Sequence, residues 1–286
     1  MAGVRTLLVW IVVAECWIQL IKGSCPAGKF GDLCSYFCHC GNDCNRTTGV
    51  CSKVCDKGWV GGHGKTCQKE NVAYNKNATT PSGLYHHDPP WSADKAVDGN
   101  RDQDVFHNSC FHAGRYPSVW KVDLGQPYKI HDVRIYNRAK YILRIRTAAL
   151  SVSNTRSTTS IVPCYTFPSN TTKGNSVYDV TCDAIGQYVT IKHGTETLNL
   201  CEVEIYVCSQ GTFGADCNNF CHCSVGPCDR VSGFCTGNCR PGWQGQSCSV
   251  ECDRDHYGVN CDETCGNRKC AADTPSQIDL KLVVEH

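Results

Sequence analysis

Four short segments in the middle of the chain carry the side chains that could bind a ligand. The segment WSADKAVDGNRD contains Asp98, Gly99 and Asn100. Carboxylate and amide oxygens, together with free backbone carbonyls, are the ligands that calcium prefers in proteins. The same three residues also form ordinary turns, and a plain turn is the preferred interpretation of this stretch taken alone. A hard-cation site is the functional interpretation, and it needs ligands from elsewhere in the chain.

The other three segments add hydrogen-bond donors and a further carboxylate. HNSCFHAG contains Ser109 and His112, and LNLCEVEIYVC contains Cys201 and Glu202. The segment IYNRAKYILRIR carries four cations, Arg138, Lys140, Arg144 and Arg146. Histidine and arginine side chains are good donors to hydroxyl oxygens, which favours a loop that binds a polar ligand. A solvated basic edge is the alternative.

No segment shows a pattern typical of an enzyme. The sequence lacks G-x-S-x-G, H-E-x-x-H and P-loop motifs. Glu202 and Glu204 lie on one face of a predicted strand, where paired carboxylates could act as acid and base. A calcium ligand beside a surface charge is the preferred interpretation of this pair. We therefore predict a binding protein and not an enzyme.

Strands must position these segments, because apolar and polar residues alternate around them. In VWKVDLG, Trp120, Val122 and Leu124 alternate with Lys121 and Asp123. Similar runs are HDVRIYN, AALSVSN, QYVTIKH and CEVEIYV. No run shows a convincing helical period. Many short strands between residues 70 and 207 predict a mostly β domain, either a β-sandwich or a jelly roll.

The cysteines divide the chain and indicate an oxidising compartment. The chain contains 25 cysteines in 286 residues, crowded into residues 25–67 and 208–270 with four between Cys67 and Cys208. Such a composition is typical of secreted disulfide scaffolds. Among the four, a Cys110–Cys201 bond would close a long loop, and Cys164 and Cys182 would pair locally.

The two cysteine-rich segments are repeats of one another. Both contain FGxxC, FCHC and GW at nearly the same spacings, and a third copy begins at CDRDHYGVNC. The CHC triplets could indicate zinc, but disulfides are the preferred interpretation in a secreted chain. Each repeat is too small to fold by apolar burial alone, so crosslinks are required.

These repeats resemble EGF-like modules of the tandem, laminin-related type found in multiple-EGF receptors. The resemblance implies four pairs in the first copy, which are Cys25–Cys34, Cys38–Cys44, Cys40–Cys51 and Cys55–Cys67. It implies four in the second copy, which are Cys208–Cys217, Cys221–Cys228, Cys223–Cys235 and Cys239–Cys248. In the partial third copy, Cys252–Cys261 and Cys265–Cys270 would use the remaining cysteines.

The N-terminus predicts secretion. Residues 1–23 combine a short basic start with an apolar run and end in small residues, as in a signal peptide. A membrane anchor is the alternative, but Glu15 and Gln19 interrupt the run. Removal of the leader also removes Cys16 and leaves 24 cysteines, the even number that full pairing requires.

The rest of the chain predicts a secreted, extracellular glycoprotein. No second apolar run is long enough to insert into a membrane. The net charge of +1 offers no bulk attraction for nucleic acid or a membrane surface. Three acceptor sequons predict N-glycosylation at Asn45, Asn77 and Asn170.

The middle of the chain resembles the F-type lectin (fucolectin) domain, a β-jelly roll related to the discoidin domain. The resemblance rests on NVAYNKNATTPSGLYHHDPPWSADKAVDGNRDQDVFHNSCFHAG, VWKVDLGQPYKIHDVRIYNR and LNLCEVEIYVC. It implies a fucose site in which His112, Arg138 and Arg144 donate hydrogen bonds to the sugar. It also implies a structural calcium ion (Ca²⁺), whose ligands would come from Lys95 (carbonyl), Asp98, Asn100, Ser109, Cys201 (carbonyl) and Glu202.

The basic loop, residues 138–146, departs from the fucolectin pattern in three ways. Lys140 stands where the family has an aspartate that orients the arginines, and Tyr141-Ile142 stands where it often has two cysteines. The loop is also one residue short before Arg144. A lysine repels neighbouring arginines instead of orienting them. Two interpretations follow, a lectin of altered specificity or a basic, solvated loop without sugar binding.

The predicted organisation is a β-sandwich jelly roll flanked by small disulfide-rich EGF-like modules. The predicted parts are a signal peptide (1–23), an EGF-like module (24–69), an F-type lectin-like domain (70–207), a second EGF-like module (208–249), a partial one (250–270) and an unstructured tail (271–286). The predicted function is calcium-stabilised recognition of fucosylated or related glycans on cells or microbes. The alternative is a structural, adhesion or soluble-receptor protein with a degenerate sugar site, which binds cell-surface proteins through its EGF-like modules.

Overall fold

The computed structural model describes residues 25–61, 64, 66–155, 161–170 and 176–264. The predicted signal peptide, the Cys265–Cys270 pair and the tail therefore lie outside the described residues. The chain divides into two compact units, one spanning Glu70–Cys208 and the other formed by the cysteine-rich segments on either side of it. Within the described part, no helix has the length and apolar character needed to cross a membrane.

Regular structure is almost entirely β. The strands are β1 (Lys29–Phe30), β2 (Tyr36–Phe37), β3 (Trp59–Val60), β4 (Lys69–Asn71), β5 (Asn77–Thr79), β6 (Phe111–His112), β7 (Ser118–Asn137), β8 (Ala149–Ser153), β9 (Ile161–Thr166), β10 (Val177–His193), β11 (Asn199–Cys208), β12 (Thr212–Phe213), β13 (Asn219–Phe220), β14 (Trp243–Gln244), β15 (Val250–Glu251), β16 (His256–Tyr257) and β17 (Glu263–Thr264). Short 3₁₀ helices span Asp32–Cys34, Ala93–Ala96, Val105–His107, Ile142–Ile145 and Val259–Cys261. The prediction of a mostly β chain is confirmed.

The Glu70–Cys208 unit is a β-sandwich built around two long strands. Neighbouring strands follow the order β4, β11, β7, β10, β8, β9, with β5 on β7 and β6 on β11. The sequence segments VWKVDLG and HDVRIYN belong to one strand, β7, which pairs with β10 along almost its whole length. Register shifts in that pairing accompany the exposed residues 125–127 in the middle of β7.

The core of this unit follows the alternation seen in the sequence. Trp120, Val122 and Leu124 are fully buried, whereas Lys121 and Asp123 between them are partly exposed. The buried faces of β7, β8, β10 and β11 meet in a single apolar cluster. Period-two alternation therefore predicted which side chains of β7 form the core.

Strand β11 breaks this pattern, because both of its faces are buried. The interpretation of Glu204 as a surface charge is therefore wrong. The Arg101 guanidinium donates to Glu204 Oε1 at 2.6 Å, and the Tyr206 hydroxyl donates to Glu204 Oε2 at 2.7 Å. A buried carboxylate needs such partners, and these two groups supply them.

Two disulfides cross the Glu70–Cys208 unit. Cys110 is bonded to Cys201, across 91 positions of sequence, and Cys164 is bonded to Cys182. The first bond joins the end of the loop before β6 to β11. Cys201 falls at a register shift between β11 and β7, so its backbone lies outside the regular ladder.

The cysteine-rich unit consists of short hairpins held by disulfides. The pairs are Cys25–Cys34, Cys38–Cys44, Cys40–Cys51, Cys55–Cys67, Cys221–Cys228, Cys223–Cys235, Cys239–Cys248 and Cys252–Cys261. Cys208 and Cys217 are disulfide-bonded as well. The cysteines of both CHC triplets are thus consumed in disulfides, which removes the thiolates that the zinc alternative required. The histidines between them stack on tryptophans, His39 on Trp59 and His222 on Trp243.

The two cysteine-rich segments pack against each other within this unit. Phe220 of the second segment contacts the rings of Phe30 and Tyr36 of the first, with centroids 5.6 and 4.8 Å away. The Tyr36 hydroxyl donates to the Cys221 carbonyl at 3.1 Å. The backbone N–H of Ser209 donates to the Gln68 carbonyl at 2.8 Å, so the chain leaves and re-enters this unit at adjacent points.

Candidate functional site

His112 lies on the short strand β6, opposite Asn199 of β11. Its Nδ1 is 2.8 Å from the Ala113 carbonyl oxygen, and its Nε2 is 3.4 Å from an Arg144 terminal nitrogen. A carbonyl only accepts, so Nδ1 carries the proton and donates it. Nε2 therefore presents a lone pair towards Arg144.

This arrangement bears on the donor role that the resemblance implied for His112, and that role stays a prediction. Burial lowers the pKa of His112 to about 4, and the nearby charges of Arg144 and Arg138 act in the same direction. The ring is neutral at physiological pH. In this state the free Nε2 is placed to accept a hydrogen bond from Arg144.

Arg138 follows directly after β7 and is positioned by Asn137. The Asn137 side chain accepts from the Arg138 N–H at 2.9 Å and donates to the Ile142 carbonyl at 2.8 Å, which closes the basic loop. Gln103 holds the loop from outside, because its carbonyl accepts from the Ala139 N–H at 2.9 Å. The loop is thus fixed by the buried Asn137 side chain and by the backbone carbonyl of Gln103.

Tyr141 brings the two arginines of the loop together. It adopts a left-handed backbone conformation (φ 60°) immediately before the 3₁₀ helix Ile142–Ile145. Its exposed ring lies 5.1 Å from the Arg138 guanidinium carbon and 4.7 Å from that of Arg144. The negative face of an aromatic ring attracts cations, so the Tyr141 ring orients both arginines. In the fucolectin pattern an aspartate, at the position of Lys140, has this role.

Arg138 is buried but has no carboxylate partner. It is 6% exposed, its Nε has no hydrogen-bond partner among the described residues, and its guanidinium lies 5.7 Å from the Phe106 ring. Burial lowers the pKa of Arg138, and the Arg144 charge lowers it further. Buried polar groups are normally satisfied, so this unpartnered donor is unusual and requires a physical explanation.

Aromatic side chains surround the three predicted sugar-binding residues. Three of these aromatic residues were not predicted from the sequence. Tyr85 lies 4.5 Å from the His112 ring, and the buried Trp91 stacks on the same ring at 5.7 Å. Phe106 is exposed and contacts Trp91 edge-on. Aromatic residues within otherwise polar, turn-rich segments were the available signal, since such residues seldom build a core.

Glu202 and the Asp98 turn come together in the structure. The Gly99 N–H donates to Glu202 Oε1 at 3.1 Å, and Asp98 Oδ1 accepts from the Asn100 N–H at 2.9 Å. Burial raises the pKa of Glu202 to about 8, with Glu204 and Asp98 adding to the effect. Burial also raises the pKa of Asp98.

The predicted calcium ligands fit a cation, because one of their carboxylate oxygens is buried and unpartnered. Glu202 Oε2 is buried and has no hydrogen-bond partner within the described residues. Cys201 lies at the β11 register shift, and Lys95 belongs to the 3₁₀ helix just before Asp98. Ser109 is buried, and its hydroxyl donates to the Asp104 carbonyl at 2.7 Å, so its oxygen can still accept.

The three asparagines of the predicted sequons, Asn45, Asn77 and Asn170, are all exposed. Exposure is what a glycosyltransferase requires of its acceptor. Glycosylation at these positions stays a prediction.

Comparison with known proteins identifies relatives of the Glu70–Cys208 unit. A family described as a NedA-like, galactose-binding domain matches residues 95–191. A fucolectin from Anguilla anguilla is 34% identical over 145 residues, which cover 49% of this chain and 92% of the relative. Fucolectin-6 from Anguilla japonica is 35% identical over 140 residues, covering 48% and 75% respectively.

Among solved structures, the fucolectin from striped bass (Morone saxatilis) serum is 28% identical, with a TM-score of 0.42, and the match covers 48% of this chain and 47% of that one. These two curated relatives are fucolectins, so the prediction of a binding protein and not an enzyme is confirmed. The alignment covers nearly the whole of the Anguilla anguilla fucolectin. This chain belongs to the fucolectin family, through a carbohydrate-binding domain that includes residues 95–191.

Proposed function

We propose that this chain is a secreted lectin that binds glycans at His112, Arg138 and Arg144. The observation that carries the proposal is the buried Arg138 guanidinium, whose Nε lacks a partner beside an acceptor nitrogen and a second arginine. Sugars offer hydroxyls that both donate and accept, so one hydroxyl can bridge a guanidinium and the His112 nitrogen. Tyr85 and Tyr141 are exposed at the same place and offer apolar surface to the sugar ring.

The proposed ligands are fucosylated or related glycans on cells or microbes. The resemblance of His112, Arg138 and the Arg144 region to the fucose site supports this class. A single site of this kind binds weakly, and useful avidity requires several chains or several sugars held together.

Binding of the full-length chain to a glycan panel tests this proposal, in calcium and in chelator. We expect fucosylated glycans to be retained by the wild-type chain and lost in Arg138→Ala. Arg134→Ala is the matched control, because Arg134 lies on β7 just before the basic loop and its guanidinium already donates to Asp179 of β10 at 2.6 Å. If the folded, calcium-loaded chain retains no glycan, the proposal fails and the structural or adhesion alternative is favoured.

Calcium is proposed as a structural ion held by Asp98, Asn100, Ser109 and Glu202, with carbonyls of Lys95 and Cys201. The unpartnered Glu202 oxygen supports it. The ion would supply positive charge to two buried carboxyl groups and tie β11 to the Asp98 turn. A ligand that binds only the folded state at a hundred times its Kd stabilises it by about 2.7 kcal/mol.

The calcium proposal is tested by thermal unfolding with and without the ion. We expect calcium to raise the unfolding temperature of the wild-type chain and to leave that of Glu202→Gln unchanged. Glu196→Gln, an exposed position on the same unit, should respond like the wild type. An equal calcium shift in Glu202→Gln would refute the assignment.

Secretion and the EGF-like character of the flanking segments are proposed on sequence grounds. The leader-like residues 1–23 and the many disulfides support an oxidising, extracellular location. Expression in animal cells tests it, since the mature chain should be recovered from the medium with its N-terminus near residue 24. Retention of an uncleaved chain in the cell would contradict it.

A further inference from the structure

The basic loop gives the proposed sugar site an excess of positive charge. Arg138, Lys140 and Arg144 contact only neutral groups in the described part of the chain. Arg138 faces the rings of Phe106 and Tyr141, and Lys140 lies 6.0 Å from the Phe106 ring. Arg144 contacts the Tyr141 ring, neutral His112 and the amide oxygen of Asn199 at 3.4 Å.

Two other arginines of the same unit are neutralised by carboxylates. Arg101 is paired with Glu204 at 2.6 Å, and Arg134 is paired with Asp179 at 2.6 Å. Arg138 is more deeply buried than either and has no such pair. Arg146, at the end of the same basic loop, likewise has a buried Nε without a hydrogen-bond partner among the described residues.

Within the described part of the chain, Asp104 opposes the charge of Arg138 from outside the loop. Asp104 acts on Arg138 at a distance, and its Oδ1 already accepts from the Phe106 N–H at 3.1 Å. One carboxylate does not balance the charges of Arg138, Lys140 and Arg144, so the loop keeps a net positive charge. Lys140 increases that excess at the position where the fucolectin pattern has an acid.

We propose that this site selects a sugar that carries a negative charge, either a sulfate ester or a carboxylate. The proposal rests on the proposed lectin function and narrows its ligand class. A neutral sugar would satisfy the donors of Arg138 and Arg144 but leave their charges unbalanced. An anionic oxygen group accepts two parallel N–H bonds from a guanidinium and balances its charge in a partly desolvated pocket.

Lys140 selects among such ligands by its charge and is not needed to shape the loop. No hydrogen bond or ion pair of Lys140 holds the loop in the described structure, and Asn137 and Gln103 provide that support. Changing Lys140 should therefore alter the ligand preference and leave the fold intact.

Binding of the full-length, calcium-loaded chain to immobilised sugars tests this inference. The probes are a neutral fucosylated glycan, its fucose-sulfated counterpart and a glycan ending in a sugar carboxylate. We expect at least one anionic probe to bind about tenfold or more tightly than the neutral glycan at 0.15 M salt, with a preference that weakens as salt rises. Whichever anionic arm binds identifies the charged group.

The variants Lys140→Asp and Lys192→Asp complete the experiment. Lys192 is exposed on β10 of the same unit, so the control makes the same charge change away from the basic loop. We expect Lys140→Asp to abolish the preference for the anionic probe and to retain the neutral glycan, and Lys192→Asp to behave like the wild type.

The outcomes separate this inference from the lectin proposal. Equal or tighter binding of the neutral glycan overturns the inference and leaves the lectin in place. An anionic preference that survives Lys140→Asp, or is lost equally in Lys192→Asp, overturns the role of the loop charge. If the chain binds none of the three probes, both proposals are refuted.

Discussion

The Cys110–Cys201 disulfide should contribute more to stability than any local crosslink of the same unit. It closes a loop across 91 positions, whereas Cys164–Cys182 closes one across 18. Loop-closure entropy assigns about 4.6 kcal/mol to the first bond and about 3.2 kcal/mol to the second at 25 °C. The double variants Cys110→Ala/Cys201→Ala and Cys164→Ala/Cys182→Ala test this difference directly.

Hydrogen exchange of the full-length chain measures the two losses in the right part of the molecule. Amides of β7 and β11 exchange through opening of the whole unit, so their protection reports its stability. We expect protection to fall about 2,000-fold without Cys110–Cys201 and about 200-fold without Cys164–Cys182. Chelator in every sample removes any contribution from calcium at the neighbouring Glu202.

The order of the two losses decides the outcome. If removal of Cys164–Cys182 lowers protection as much as removal of Cys110–Cys201, loop length does not govern the effect. Loop-closure entropy would then not explain the stabilities of this fold. Strain or residual structure in the unfolded chain would have to account for the departure from the expected tenfold ratio.

Three further predictions concern single residues. Burial lowers the pKa of His112 from an ordinary 6.5 to about 4, so the free energy of unfolding should be constant above pH 6.5 and fall as the pH drops towards 4. In urea unfolding, the free energy of unfolding of His112→Gln should fall less over the same pH range than that of the wild type. Gly49→Ala should destabilise the cysteine-rich unit by at least about 2 kcal/mol more than Gly41→Ala in thermal unfolding, because both glycines have positive φ but only the Gly49 Cβ would clash with a buried ring; equal losses would contradict this. Tyr36→Phe should cost about 1 kcal/mol in the same assay, since the Cys221 carbonyl loses its donor, and no loss would show that water replaces it.

The sequence predicted the core side chains correctly where one face of a strand is buried and the other is exposed to solvent. Trp120, Val122 and Leu124 could be assigned to the core from alternation alone, and the structure buries all three. Alternation failed for β11, because neighbouring elements cover both of its faces and even Glu204 is buried. Strand β9 was missed as well, since its residues are largely exposed and carry no periodic signal.

The candidate site was predictable as a set of residues but not as an arrangement. His112 and Arg138 were assigned by resemblance, and the structure brings them together with Arg144. The role of Tyr141 depends on its left-handed backbone, which places one ring against two guanidiniums. No local sequence pattern specifies that conformation for a tyrosine, since aromatic residues rarely adopt it. The acceptor state of His112 likewise depends on one backbone carbonyl that only the fold supplies.

The pairing of the two cysteine-rich segments has a mechanical consequence. Gln68 and Ser209 are joined by a backbone hydrogen bond, and Tyr36 and Phe220 pack together beyond it. A tensile force applied to the chain at residues 25 and 264 would first load these contacts and the disulfides of the cysteine-rich unit. The strands β7 and β10 would carry no tension until that packing had sheared apart. While that packing holds, a pull on the flanking segments would load the cysteine-rich unit and not the strands of the inserted Glu70–Cys208 unit.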